Sequence, residues 1–401
     1  MNSKSVMHGL VPAMLLSMSV GQIYAFTNFA SSISEKISYS QSAVQIAFSL
    51  GIFFLGMGAA FFGKFVEKDI KKASFLGMAL FIVGLVTTQL SVCFKTLSLL
   101  YIGYGLFLGL GTGITYISPV KTMMMWFPDN KALASAIPIV FFGLGSTLST
   151  LLLKPFGFAG IENIFYVYAA FYLILMTAGA CLIKKPDGYS KAEATGSVDF
   201  SYGKLLKDRF FIHSWLFMFI NISAGLSIIP LSRQLMQADI INYSASTIGI
   251  FVALAGVFNG GGRLVYAYAA DRMKRRLHIL TAIIGDSILA IALCIIFPKT
   301  FGVMMLFINM CYGAGFSVMP SILSDKFGIA DLSKIHGAVL SAWGVAGLIG
   351  NNASLLVHSR YGWMGVFVMI LLMHIINIAN SSSLVSLGSR KEQEPVENEQ
   401  A

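Results

Sequence analysis

Hydrophobic positions along this chain neither alternate nor recur at every third or fourth residue; they run together in long blocks. Twelve such blocks follow one another, near residues 7–30, 42–64, 73–93, 99–124, 132–153, 164–183, 212–233, 246–270, 277–297, 301–324, 337–357 and 363–385. Each is close to the roughly 20 residues that an α-helix needs to cross a hydrocarbon core about 30 Å thick, so each predicts a membrane span. The longest polar stretch before the tail, "KKPDGYSKAEATGSVDFSYGKLLKDRF", falls after the sixth block and reads as a linker. The expected organisation is a six-helix half over 1–183, a linker over 184–211, a second six-helix half over 212–387 and a polar tail over 388–401.

If the halves are copies, landmarks should recur at one distance, and three do so at 204 residues. "SVG" at Ser19 matches "SAG" at Ser223; "EKDIKK" at Glu67 matches "DRMKRR" at Asp271; "GLGSTLSTLL" at Gly143 matches "GLIGNNASLL" at Gly347.

Composition agrees with the block pattern: 56% of residues are hydrophobic and 11% charged, against about 25% charged in soluble domains. A formal charge of +10 would suit a nucleic-acid partner, but the distribution of the basic residues argues otherwise. With the N-terminus inside, twenty of the 28 lie in the cytoplasmic segments and six in the opposite loops, as the positive-inside rule requires. The basicity therefore reports topology, with both termini cytoplasmic, a lipid bilayer as the surroundings and no nucleic acid. The N-terminal block lacks a small-residue cleavage site and is expected to be a retained first helix. Cys93, Cys181, Cys294 and Cys311 all fall within blocks and imply no disulfide framework.

The remaining two basic residues, Lys121 and Arg263, lie inside spans. Arg263 is about five residues past the middle of its block, or ~7.5 Å at the helical rise, still within the hydrocarbon slab. A charge there faces a cavity or a partner. One reading gives its guanidinium fork to a substrate carboxylate. The other pairs it with Asp286, at similar depth on the far side of the hairpin turning near Met273; Asp286 could also act as a proton-coupling carboxylate. Lys121 stands five residues before Trp126 at the cytoplasmic edge and is expected to snorkel to the headgroups, or, if it faces a cavity, to supply a second cation. Gly105, Gly109 and Gly113, and the triplet Gly260 to Gly262, suit close helix packing.

The segments "GKFVEKDIKK" and "AYAADRMKRR" resemble the loop pattern Gly-x-x-x-Asp-Arg/Lys-x-Gly-x-Arg/Lys-Arg/Lys of the major facilitator superfamily, found between its second and third helices and again between the eighth and ninth. Gly63 and Lys68 fit, Glu67 replaces the aspartate and Ile70 stands at the second glycine. In the second copy Asp271 and Arg272 fit, with Ala267 and Lys274 at the glycine positions. The resemblance implies an all-α membrane fold of twelve helices in two pseudo-symmetric halves. A carboxylate at such a helix end can accept from a neighbouring helix N-terminus and pair with basic residues, latching the inward side in one of two states.

More narrowly, "GQIYAFTNF" at Gly21, "GTGITYISPVKTMMMWFPDNKALASAI" at Gly111 and "SAWGVAGLIG" at Ser341 resemble the oxalate/formate antiporter family and its monocarboxylate-transporter relatives. That resemblance implies a secondary transporter of a small carboxylate anion, exchanging anions or carrying a proton with them, in the cytoplasmic membrane of a bacterium and functional as a monomer. Arg263, eight residues before Asp271, matches the family's substrate-binding arginine. Trp343 matches the position where the oxalate exchanger has a second cation, which favours a monocarboxylate over a dicarboxylate. Tyr24, Tyr116, Tyr312, Phe316 and Trp343 are expected to wall the site. Gln22, Asn351 and Asn352 could bond substrate or bridge helices.

Other classes fit less well. The six histidines are scattered, no HExxH occurs and no metal or cofactor site is implied, so an enzyme is not expected. "GAAFFGKF" at Gly58 approaches a phosphate loop but has Phe65 where a hydroxyl must hold magnesium. A non-transporting sensor would be expected to carry a signalling domain, and a channel a repeated filter; neither is seen. A carrier of an unrelated small metabolite on the same fold is the remaining alternative.

Overall fold

A computed structural model describes residues 3–153, 162–189 and 201–389, and these are helical without strands. Residues 190–200 of the expected linker and 390–401 of the tail lie outside the described residues. The spans are α1 (Ser3–Phe26), α2 (Gln41–Lys68), α3 (Ile70–Cys93), α4 (Leu97–Trp126), α5 (Pro128–Leu152), α6 (Ile164–Leu182), α7 (Arg209–Leu226), α8 (Ala245–Met273), α9 (Arg276–Ile296) and α10 (Pro298–Phe327). A last helical stretch, Leu332–Ser389, departs from helical geometry at Gly362, where φ is 64° and ψ −169°. A glycine reaches that left-handed φ without a Cβ clash, and it divides the stretch into α11 (332–361) and α12 (363–389).

Local chemistry sets the boundaries. Ser40 and Ser244 cap α2 and α8 by accepting from the third backbone N–H beyond them, Ala43 at 3.3 Å and Thr247 at 3.2 Å. These two caps are themselves 204 residues apart, a further landmark at the repeat distance. Asp69 caps α3 by accepting from the Lys72 amide at 3.0 Å, and that bond lowers its carboxyl below the ordinary value. α1 and α7 share a different feature. α1 tightens into a 3₁₀ turn at Gly21, and α7 ends at Leu226, beside Gly225, the repeat partner of Gly21. Both first helices of the repeat therefore leave α geometry at equivalent repeat positions, and α7 is shorter than its apolar block predicted.

The described residues form two compact units, Met1–Val198 with Leu323–Leu348, and Asp199–Ile322 with Ile349–Ala401. The division falls near the expected linker, except that the end of α10 and the first part of α11 cluster with the first unit.

In hydrocarbon no solvophobic force joins helices, so close approach of small residues does. α4 is wedged between α2 and α3 on this principle. A Cβ at Gly113 would stand 2.1 Å from the Leu55 carbonyl oxygen, one at Gly109 2.7 Å from that of Gly51, and one at Gly111 2.5 Å from the Phe81 amide nitrogen. Gly105 meets the Leu50 side chain instead, so the expected packing role holds along the whole glycine row. Gly113→Ala is expected to destabilise by about 1–3 kcal/mol, because two backbones must separate. Thermal unfolding of detergent-solubilised protein checks this, with Gly249→Ala as control: that position has nothing within 4 Å, and helix propensity favours alanine there.

Candidate functional site

In the first unit the predicted aromatic residues meet. Tyr116 lies edge-on to Trp343 with ring centroids 5.7 Å apart, and Tyr24 is 6.5 Å from Trp343. Phe142 of α5, not foreseen, sits at their centre, 5.1 Å from Tyr116, 5.4 Å from Tyr24 and 5.9 Å from Trp343. These separations are those at which aromatic pairs attract. His336, two helical turns before Trp343 on α11, adds a buried imidazole 6.4 Å from the Tyr116 ring. The signal that would have found it is the seven-residue spacing, which puts both side chains on one helix face. Gln22 is fully buried at the point where α1 tightens; it lies beside the Tyr104 hydroxyl, but neither of its amide atoms reaches a protein partner at hydrogen-bond geometry.

In the second unit Arg263 is buried against α10. α8 and α10 approach closely enough that a Cβ at Gly262 would stand 2.4 Å from the Met310 carbonyl oxygen, and one at Gly313 would meet Arg263 Cγ at 3.1 Å and Nε at 3.2 Å. Glycine at 313 thus makes room for the guanidinium stem. Ser317 donates to the Arg263 carbonyl at 3.0 Å, and the guanidinium carbon lies 6.0 Å from the Phe316 ring centroid. Tyr312 packs on Phe316 at 5.5 Å and over Gly225 at the end of α7. The buried Asn221 of α7 projects to Gly315 with an amide nitrogen that meets no protein acceptor. Arg263, Tyr312 and Phe316 therefore share one wall, whereas Tyr24, Tyr116 and Trp343 belong to the cluster of the first unit. Of the glycine triplet, Gly262 makes the close approach and Gly261 opens onto nothing within 4 Å.

Two expectations need correction. Asp286 does not pair with Arg263: its carboxylate accepts from Tyr266, whose side chain faces α9 while Arg263 turns to α10. Lys121 does not snorkel. It is 1% exposed, ion-paired with Glu67, and donates to the Ala330 carbonyl at 2.9 Å. Burial is tolerable because the carboxylate neutralises it and the carbonyl takes a further ammonium proton.

Glu67 also accepts from the Ser333 backbone N–H, in the first turn of α11. Gly63 permits this contact, since a Cβ there would stand 2.6 Å from the Ser333 carbonyl oxygen. Lys131 and Asp325 add a partly exposed ion pair at 3.0 Å, and Lys68 is exposed. In the second copy of the loop Asp271 binds Arg276 at 2.8 Å, and Arg272 is exposed. The Asn351 side chain lies outside the described residues.

The family model of the Major Facilitator Superfamily matches residues 10–351 and 236–400. The chain belongs to that superfamily. It is thus a multi-pass membrane transporter and not an enzyme. Among similar proteins, an uncharacterized MFS-type transporter of Escherichia coli, YhjX, is 25% identical over 84% of this chain and 85% of its own. The oxalate:formate antiporter of Oxalobacter formigenes is 24% identical over 94% of this chain and 90% of its own. The crystal structure of the transporter FucP in its outward conformation superposes with a TM-score of 0.71, at 12% identity, over 94% of this chain and 98% of that one.

Proposed function

We propose that this transporter carries a small carboxylate anion, a monocarboxylate in preference to a dicarboxylate, by alternating access. The observation that carries the reading is Arg263, a buried cation within a span, walled by Phe316 and Tyr312 and backed by a glycine that makes room for it. A guanidinium in that setting recognises a carboxylate through paired donors. The similarity to the oxalate:formate antiporter supports the substrate class. The preference for one negative charge is supported by Trp343, an indole where the exchanger has a cation, and by Lys121, whose charge is already taken by Glu67. In the second unit Tyr312 and Phe316 limit the size of what reaches Arg263, and Asn221 offers a neutral donor; in the first, Tyr24, Tyr116 and Trp343 present an aromatic face, and Gln22 offers a neutral donor.

The Glu67 contacts act as the latch of the alternating cycle. Glu67 ties α2 to α4 through Lys121 and to α11 through the Ser333 amide, at the end that the charge distribution assigns to the cytoplasm. Asp271 and Arg276 form the matching fixture after α8. We place the protein in a bacterial inner membrane as a functional monomer with cytoplasmic termini.

Uptake and counterflow in proteoliposomes with formate, lactate, pyruvate, oxalate and succinate test the reading, with and without a pH gradient. Monocarboxylates are expected to trans-stimulate labelled uptake and oxalate and succinate to do so less. If no carboxylate is moved, the substrate class is wrong; if oxalate is preferred, the role given to Trp343 is wrong.

A further inference from the structure

After α6 the chain turns back over one end of the first unit, and residues 183–189 make contacts that the anion site does not use. The stretch "KKPDGY" contains a turn: the Tyr189 amide donates to the Pro186 carbonyl at 3.2 Å, and Gly188 supplies the left-handed φ of 81° that such a turn needs. The residues around it are fastened. Lys184 donates its amide to the His8 carbonyl at 3.3 Å, and His8 Nδ1 lies 2.9 Å from the Leu182 carbonyl oxygen. The Trp126 indole donates to the Lys184 carbonyl at 2.9 Å. The Lys185 ammonium donates to the Glu67 backbone carbonyl at 3.4 Å and lies 5.8 Å from the Tyr189 ring centroid. Asp187 accepts from Lys4 at 2.7 Å and from Lys184 at 3.1 Å. The Tyr189 hydroxyl is buried; burial raises its phenol above the ordinary value, and the charge of Asp331 adds to the rise.

These fixings fall on one set of helices. Trp126 ends α4, Glu67 stands one residue before the end of α2, and Asp331 immediately precedes α11. The Glu67 side chain joins the same three helices, through Lys121 and the Ser333 amide. All of these residues belong to the first unit. A hydrogen bond is directional, so the Glu67 contact with Ser333 depends on how firmly the Glu67 backbone is set. We propose that residues 183–189 are a strap that stiffens the Glu67 latch. Docked, it holds the ends of α2 and α4 where they close on α11; it lifts when this end opens. Its fixings are single hydrogen bonds and exposed ion pairs, each weak enough to be broken within a transport cycle. The proposal rests on the alternating-access reading above, adds the start of the linker to its moving parts and depends on no particular substrate.

The test uses the full chain in vesicles without substrate. The reporter is Ala338→Cys, with the four native cysteines replaced by alanine, probed by an impermeant maleimide from the side that the charge distribution assigns to the cytoplasm. A strap variant, Trp126→Phe with Lys185→Met and Asp187→Ala, is expected to label about tenfold faster than the same background with the native strap, the worth of one or two net hydrogen bonds. Hydrogen exchange read by mass spectrometry gives a second measurement with the strap sequence intact. Glu67→Gln is expected to speed exchange in the peptide spanning residues 183–189 as it speeds labelling. Labelling of the strap variant at the native rate overturns the proposal. So does a Glu67→Gln protein that labels quickly while that peptide exchanges as in the wild type. If the strap variant labels quickly and Glu67→Gln does not, the strap stands and the Glu67 latch fails. If both variants respond but no carboxylate shows counterflow in the wild type, the substrate reading alone fails.

Discussion

Arg263→Ala is expected to weaken carboxylate transport by roughly thirtyfold to several thousandfold, with the loss in substrate affinity and the protein still folded. Truncating one partner of a desolvated charge pair costs about 2–5 kcal/mol, and each 1.4 kcal/mol is about a factor of ten. Lys121, the other basic residue inside a span, is held by Glu67. Arg263→Lys is expected to fall between alanine and wild type: the charge remains, but an ammonium cannot present two parallel donors to a carboxylate. Folding should survive both changes, since Asp286 takes its hydrogen bond from Tyr266 and loses no partner when Arg263 is shortened. Concentration dependence of counterflow, with size-exclusion chromatography and thermal unfolding alongside, checks the split. Unchanged apparent affinity in Arg263→Ala would show that the anion is recognised elsewhere. Unfolding of both variants would show that Arg263 is a structural group.

How much of this was legible in the sequence depends on which coordinate is asked for. A helix rises about 1.5 Å per residue, so a residue's position along its helix follows from counting. The apolar helices follow from the block boundaries, and Arg263, Lys121 and Asp286 each stand inside one. Azimuth does not follow, because the direction in which a side chain points depends on neighbours far away in the chain. Arg263 and Asp286 were placed at similar depth, yet Tyr266, one turn on, is the residue aimed at α9. Lys121 was read from its nearness to Trp126, whereas the partner that buries it, Glu67, is 54 residues away. His336 was one of six scattered histidines until α11 and α4 brought it against Tyr116. The Glu67 contact was legible because its parts lie in a motif: the loop pattern located Glu67 and suggested a helix N-terminus as its partner, and the Ser333 amide fills that role. The ends of α1 and α7 were misjudged because hydropathy continues through Ile23 and Ile228 after the backbone has left α geometry.

Removing either member of the Lys121–Glu67 pair is expected to cost about 3–5 kcal/mol, because the other charge stays buried without compensation. The side chains of Lys121 and Glu67 are 2% and 7% exposed, so little solvent is available to screen what remains. The two single variants should differ in kind. In Lys121→Met, Glu67 keeps the Ser333 amide, and α11 stays attached to α2. In Glu67→Gln the neutral amide still offers an oxygen to Ser333, but Lys121 loses the Glu67 carboxylate while keeping the Ala330 carbonyl, and the charge that favours the first turn of α11 is gone. Glu67→Gln is therefore expected to open this end, which the proposed topology puts in the cytoplasm, more than Lys121→Met does. A cysteine introduced as Ala338→Cys, in a background with the four native cysteines replaced by alanine, reports this. It should be unreactive toward an impermeant maleimide from the cytoplasmic side when Glu67 is present, and labelled when Glu67→Gln is added. The double variant Lys121→Met with Glu67→Leu is expected to recover stability relative to either single change, since an apolar pair of similar volume carries no desolvation cost, but not the latch. A double variant as unstable as the sum of the singles would mean that the two residues are not coupled. Labelling that ignores Glu67→Gln would mean that the contact with α11 does not hold the cytoplasmic end closed.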